Sequence, residues 1–300
     1  MAIPEAQLIT WSHQGAVPSS RDTYASVKRA LEAPGTGFSG KSYEVFLQGS
    51  YGNDTNVYAE SDVDVVIRLD DLYYYDTSGL NSEHAAAFAR GFVPATYTYA
   101  DFKAHVMTAL RASFGNAVTD GNKAIKIAPA NNRRSADVVV AAEFQRHYSG
   151  TLLPGHYIER GICFFTANGD RIVNYPKQHS ANCTSKHQAT NEWFKPTVRI
   201  YKNMRNRLVG ANVITRGLAP SYFIEGLLYN VSNEKYGGSY AAAVLGIINW
   251  VRSLDQEALS KLVCANQEYY LLRDGLPTCW PYSSYDRFLS ALATLWNDWR

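Results

Sequence analysis

Charge of one sign is in short supply. The 300 residues hold 29 lysines and arginines against 27 aspartates and glutamates, a formal net charge of +2. Surfaces that track a nucleic-acid backbone are usually strongly basic, so no strong nucleic-acid binding is expected. Cysteine is also scarce. Cys163, Cys183, Cys264 and Cys279 lie far apart and form no CxxC pair. That spacing excludes a compact structural zinc site, and the length excludes a small disulfide-stapled scaffold. Four reduced thiols are expected. Long apolar runs are missing: the longest, YAAAVLGIINWV at 240–251, is too short to span a bilayer. The opening MAIPEAQLITWSHQ has no basic stretch followed by an apolar one, so no secretory leader is expected. Internal repeats and low-complexity tracts are lacking too. Together these absences predict a cytoplasmic protein with no membrane partner.

What is present is an ordinary globular composition, 46% apolar, 13% aromatic and 19% charged. It can bury one large core or two joined ones. The texture changes along the chain. SSRDTYASVKRALEA carries a helical apolar period with Ser20 as its cap. YEVFLQGS, SDVDVVIRL, KAIKIAPA and SADVVVAAEFQRH predict strands. EHAAAFARGF and TYADFKAHVMTALRASFG predict helices, the second closed by Gly115. GICFFTANGDRIVNY predicts a hairpin turning at Asn168-Gly169, a pair suited to tight turns. After about residue 180 the pattern is helical, in TNEWFKPTVRIYKNMRNRLV, APSYFIEGLLYNVSN, SYAAAVLGIINWVRSL and SYDRFLSALATLWNDW. The first part therefore reads as mixed α+β and the last as mostly α.

The stretch LQGSYGNDTNVYAESDVDVVIRLD, from Leu47 to Asp70, carries the chemistry. Side chains alternate faces along a strand. Ser61, Val63, Val65, Ile67 and Leu69 share one face. Asp62 and Asp64 share the other, with Cα atoms about 7 Å apart by the strand rise. Two such carboxylates repel unless a cation joins them. Hard oxygen ligands suit magnesium, with substrate phosphates completing its shell. Gly49 and Ser50, just upstream, suit a turn whose N–H groups and hydroxyl approach a phosphate. A third carboxylate is expected from Asp137 at the start of the ADVVVA strand, with Glu143 as the rival further along. Three carboxylates can hold two ions, Mg2+ or Mn2+, for attack of a hydroxyl on a triphosphate.

The triphosphate also calls for positive charge. Phe194, Val198, Tyr201, Met204 and Leu208 form an apolar helical stripe, and Lys195, Arg199, Lys202 and Asn206 form a polar one. Residues 186–216 hold seven lysines and arginines against Glu192 alone. Residues 54–76 reverse the balance, with seven acids, Asp54, Glu60, Asp62, Asp64, Asp70, Asp71 and Asp76, against Arg68 alone. The basic stripe is either a triphosphate contact or a solvated face. Ser221, after Pro220 at a helix start, is either a phosphate contact or a plain cap. Glu225, one turn on, reads as structural. The histidines, His179 among them, show no ligand spacing.

GSYGNDTNVYAESDVDVVI, ADVVVA and ATNEWFKPTVRIYKNMRN resemble the bacterial cGAS/DncV-like nucleotidyltransferases (CD-NTases), as does the opening EAQLITWSHQGAVPSSRDTYASVKRAL. The resemblance covers nearly the whole chain and points to clade E, with clade G a close neighbour. It implies an α+β fold: a polymerase-β-like nucleotidyltransferase core with a mixed sheet, packed against a C-terminal helical half, with the active site in the cleft between them. The implied domains are 1–180 and 181–300. The implied reaction joins nucleoside triphosphates, releases pyrophosphate and cyclises the product to a di- or trinucleotide second messenger of CBASS anti-phage defence. That product activates a separate effector protein. The resemblance assigns Gly49 and Ser50 to the phosphate loop, Asp62, Asp64 and Asp137 to the metal triad, and Lys202 and Ser221 to the donor triphosphate. Asn182 falls where clade E members read the base, and an amide there suits a uracil edge. A monomer is expected. Two other readings stay open: an RNA-tailing or small-molecule nucleotidyltransferase of the same superfamily, and a non-catalytic nucleotide-binding scaffold.

Overall fold

A computed structural model describes every residue except 1, 16, 59–61, 92, 131–132, 151–154, 277 and 300. Glu60 of the acidic run and Ser61 before the strand lie outside the described residues. In chain order the elements begin with α1 (Glu5–Ser12), α2 (Val17–Leu31), β1 (Tyr43–Leu47), the single turn α3 (Gly49–Gly52) and β2 (Val63–Gly79). Next come α4 (Ser82–Gly91), α5 (Tyr99–Phe114), β3 (Val118–Asp120), β4 (Ile125–Ile127), β5 (Ala136–Ser149), β6 (His156–Phe165) and β7 (Arg171–Asn174). The chain closes with α6 (Pro176–Ala189), α7 (Phe194–Gly210), α8 (Ser221–Tyr229), α9 (Tyr240–Arg252), α10 (Gln256–Lys261) and α11 (Tyr282–Asn297).

These elements form two compact units, and neither is one continuous stretch. The sheet unit holds residues 18–48 and 61–176, and the helical unit holds 1–17, 49–60 and 177–300. The division therefore differs from the expected 1–180 and 181–300. The chain does change units near 177, but two early segments also fold with the helices.

In the sheet unit the strands run β1-β2-β5-β4-β3, with β6 pairing β5 and β7 pairing β6. β2 and β5 are parallel and the remaining pairs antiparallel. The first half of β2 is sealed on one side: Val63, Val65, Ile67 and Leu69 are fully buried. On the other face Val66 sits opposite Val139 in a smaller apolar cluster with Ala141, Ile162 and Phe164. Apolar faces on both sides explain the nearly unbroken VVI and VVVAA runs. α5 packs on β5, burying Phe102, Val106 and Leu110 at four-residue spacing, and Thr98 and Asp101 form a capping box at its start. β2 continues to Gly79, ten residues past the expected end at Leu69, because Tyr73, Tyr74 and Tyr75 find partners in Glu143, Phe144 and Gln145. Gly169 turns the β6–β7 hairpin at φ +86°, which L side chains resist. Ser20 does not cap α2. The helix starts at Val17, which leaves Ser20 buried inside it.

The helical unit has its own core. Phe194, Val198, Tyr201, Met204 and Leu208 of α7 are all buried in it, as the apolar stripe predicts. α8, α9 and α11 add Phe223, Ile224, Val244, Ile247, Phe288 and Leu292. α1 packs on α7 and α9, and the Glu5 carboxylate accepts the N–H groups of Tyr240 and Ala241 at 2.8 Å each, at the positive end of α9. The four cysteines are free thiols.

Candidate active site

Parallel pairing of β2 with β5 sets the register of the carboxylates. Val63 lies opposite Ala136 and Asp64 opposite Asp137. Both aspartates stand on the face that carries Val66 and Val139 two residues on, so they mark the open start of an otherwise apolar surface. Asp62, one step before the strand, is exposed and accepts a hydrogen bond from the Ser135 hydroxyl. Burial pushes the Asp137 carboxyl up. Lys126, its cross-strand neighbour on β4, pulls it down, and the Asp62 charge pushes it up again, for a net rise. Like charges gathered at adjacent strand ends, with oxygen as their donor atom, fit a hard divalent cation such as Mg2+ or Mn2+. Glu143 lies six residues further along β5, roughly 20 Å by the strand rise. It accepts hydrogen bonds from Arg160 and from Gln145 instead.

The Gly49-Ser50 turn belongs to the helical unit. Gly49 takes φ +63° and opens the single turn α3. The next residues are gripped by the helices. Lys195 pairs with Asp54 at 3.0 Å, and Arg199 donates to the Asp54 carbonyl at 2.6 Å. Those two bonds hold Asp54 in the left-handed region at φ +56°. Lys202 is fully buried and donates to the Thr55 carbonyl at 2.8 Å. The polar stripe of α7 is therefore not a solvated face. Ser221 is the first residue of α8, after Pro220, and is half-buried. Asn182 on α6 donates through Nδ2 to the Ala265 carbonyl at 2.8 Å.

A buried carboxylate joins this set that the sequence marks only as structural. Glu225 of α8, 2% exposed, accepts from His179 Nε2 at 2.6 Å, from Asn53 Nδ2 at 3.0 Å and from the Thr55 hydroxyl. Burial works against its charge, but His179, Lys202 and Thr55 bring the carboxyl down to about 2. His179 also stacks on Tyr222, with ring centroids 4.6 Å apart. Among the described residues, His179, Cys183 and Glu225 form the one group of metal-ligating side chains whose ligand atoms lie within 4.8 Å of one another; the aspartates form no group that tight. Both Glu225 oxygens already accept protein donors, and burial raises the Cys183 thiol well above its ordinary value. That chemistry is a hydrogen-bonded hub rather than a thiolate metal site.

The family profile for the cGAS/DncV-like nucleotidyltransferase C-terminal helical domain matches residues 181–297. The cyclic UMP-AMP synthase of Rhodothermus marinus is 39% identical to this chain, over 100% of it and 99% of the relative. The chain belongs to the cGAS/DncV-like nucleotidyltransferases. Cyclic nucleotide synthase CdnE01 of Staphylococcus haemolyticus is 33% identical over 100% of both chains. The solved structure of Rhodothermus marinus CdnE c-UMP-AMP synthase with Apcpp and Upnpp matches with a TM-score of 0.87 and 37% identity, covering 99% of this chain and 97% of that one. The CD-NTase is thus an α+β nucleotidyltransferase, and the CdnE names of its relatives agree with clade E. No helix among the described residues is long and apolar enough to cross a membrane.

Proposed function

We propose that this CD-NTase joins two nucleoside triphosphates, one of them UTP, into a cyclic dinucleotide second messenger. A ribose hydroxyl oxygen attacks the α-phosphorus of the donor. The bond to the β-phosphate breaks, pyrophosphate leaves and the hydroxyl proton goes to solvent. A second displacement of the same kind closes the ring and releases a second pyrophosphate. Asp62, Asp64 and Asp137 would hold two Mg2+ or Mn2+ ions, which when bound lower the hydroxyl pKa and neutralise the leaving pyrophosphate. Gly49 and Ser50 would offer N–H groups and a hydroxyl to the triphosphate. Ser221 would add a donor at a helix start. Lys202, with its ammonium buried against Thr55, would supply positive charge behind the turn. The product would activate a separate effector protein in anti-phage defence, and the enzyme would act as a cytoplasmic monomer.

The observation that carries this reading is the register of Asp64 with Asp137 in the parallel pair. Uracil is supported by Asn182. Its bond to Ala265 fixes which way round the amide stands and leaves a carbonyl and one N–H for a base. Uracil offers the matching N–H and carbonyl, whereas cytosine would ask the anchored amide to flip. The test is incubation with all four ribonucleoside triphosphates and Mg2+ or Mn2+, then phosphatase and mass spectrometry. A phosphatase-resistant cyclic product containing uridine is expected. A ladder of linear products would assign a tailing enzyme instead. Asn182→Ala is expected to relax the choice of pyrimidine.

A further inference from the structure

Glu225 stands where a carboxylate is least at home. Its neighbours on α8, Phe223, Ile224, Leu227 and Leu228, are all buried. An ionised carboxylate in such a place needs several donors to be tolerable. Two of its three side-chain donors come from one short segment far away in sequence, Asn53 and Thr55. The same two residues hold the turn before them through their backbones. Asn53 N–H donates to the Gly49 carbonyl at 3.1 Å, and Thr55 N–H donates to the Ser50 carbonyl at 2.9 Å. Each thus has its side chain on Glu225 and its N–H on one residue of the Gly-Ser turn. His179 closes the third side, and the Ser180 hydroxyl donates to the Gly52 carbonyl at 3.3 Å. Lys202 reaches the Thr55 carbonyl from α7. The turn is therefore tied to α6, α7 and α8, and Glu225 is the point where those ties meet.

We infer that Glu225 is a positioning residue of the nucleotidyl transfer: through Asn53 and Thr55 it holds Gly49 and Ser50 in the conformation that receives a triphosphate. This rests on the proposed role of Gly49 and Ser50 as the phosphate turn. A side chain that merely stabilised α8 would not need partners that hold that turn. Glu225→Gln keeps the shape but turns an acceptor oxygen into a donor, which then faces another donor in Asn53, His179 or Thr55.

The test measures kcat and KM for nucleoside triphosphates well below the melting temperature, with binding of a non-hydrolysable triphosphate analogue as a second readout. Glu225→Gln is expected to raise KM and weaken analogue binding by about ten- to a hundredfold, the scale on which small misplacements act. Thr55→Val, isosteric and outside the helices, is expected to do the same to a lesser degree and serves if Glu225→Gln fails to fold. The double variant is expected to be no worse than Glu225→Gln alone, since both cut one connection. Glu225→Asp, which keeps the charge, is expected to recover part of the loss. Folded Glu225→Gln or Thr55→Val protein with unchanged KM and binding overturns the inference, as does simple additivity. Ser50→Ala separates it from the reading beneath it. If Ser50→Ala weakens binding and Glu225→Gln does not, the positioning role falls and the phosphate turn stands. If Ser50→Ala and a bulky Gly49→Val both leave binding unchanged, the phosphate turn itself falls.

Discussion

At the start of β2 and β5, Asp62 stands exposed and Asp64 and Asp137 half-buried, like charges at neighbouring strand ends. Around α8 a single carboxylate, Glu225, is buried and ringed by donors from Asn53, Thr55 and His179. The first set gathers like charges at a partly open edge, the arrangement a cation would relieve. The second is satisfied from within and can act only on geometry. The comparison shows that acidic residues of equal formal charge can stand in opposite settings, one open and repelling, the other buried and saturated with donors.

The largest effect should come from breaking the first set. Asp62→Asn with Asp64→Asn is expected to lower product formation by at least about 10³-fold, the upper range for losing one electrostatic group in an active site. Circular dichroism and the melting temperature should stay close to wild type, because neither carboxylate supports the core. Near wild-type synthesis would remove the metal assignment. Breaking the second set should do the reverse. Glu225→Ala leaves three donors unmet, and an unmet buried partner costs about 3–5 kcal/mol, to be read from urea unfolding. A loss below about 1 kcal/mol would mean that the donors find water instead.

Acid should tell the two regions apart as well. The Glu225 carboxyl lies near 2 in the fold against 4.5 ordinarily, first opposed by burial and then lowered by His179, Lys202 and Thr55. A depressed folded value means that the stabilisation is present above about 4.5 and is lost as the pH falls toward about 2. Unfolding followed across that window should show a loss of stability in the wild type that is largely missing in Glu225→Gln. Equal acid sensitivity in both would place the loss elsewhere.

The same contrast explains what could be read from the sequence. Alternation around Asp62 and Asp64, the Asn168-Gly169 turn and the α7 apolar stripe are local patterns, and each recurs in the fold. The helical hub is not local. Glu225 lies 172 residues from Asn53 and 170 from Thr55, and Lys195 lies 141 from Asp54. Periodicity cannot report such pairings, so the α7 stripe could equally be read as a solvated face. α6 escaped for a different reason. Its sequence PKQHSANCTSKHQA is polar almost all round and buries only His179 and Cys183 in the described structure, so it has no apolar stripe to find.

The smallest effect should come from a carboxylate that combines features of both sets. Glu143 shares the strand and face of Asp137 and is 8% exposed, yet it accepts from Gln145 at 2.8 Å and from an Arg160 that is itself half-exposed. Strand geometry sets it six residues from Asp137 at the start of β5, and its Oε1 is engaged. Glu143→Gln keeps an acceptor for Arg160 and loses only a partly solvated ion pair, worth about 0–1 kcal/mol. Product formation is expected to stay within about twofold of wild type, the kinetic equivalent of less than 1 kcal/mol. Asp137→Asn, on the same strand and face, is expected to abolish it. If Glu143→Gln were as damaging as Asp137→Asn, the third metal ligand would have to be sought along β5 rather than at its start, and the register of Asp64 with Asp137 would lose its functional meaning.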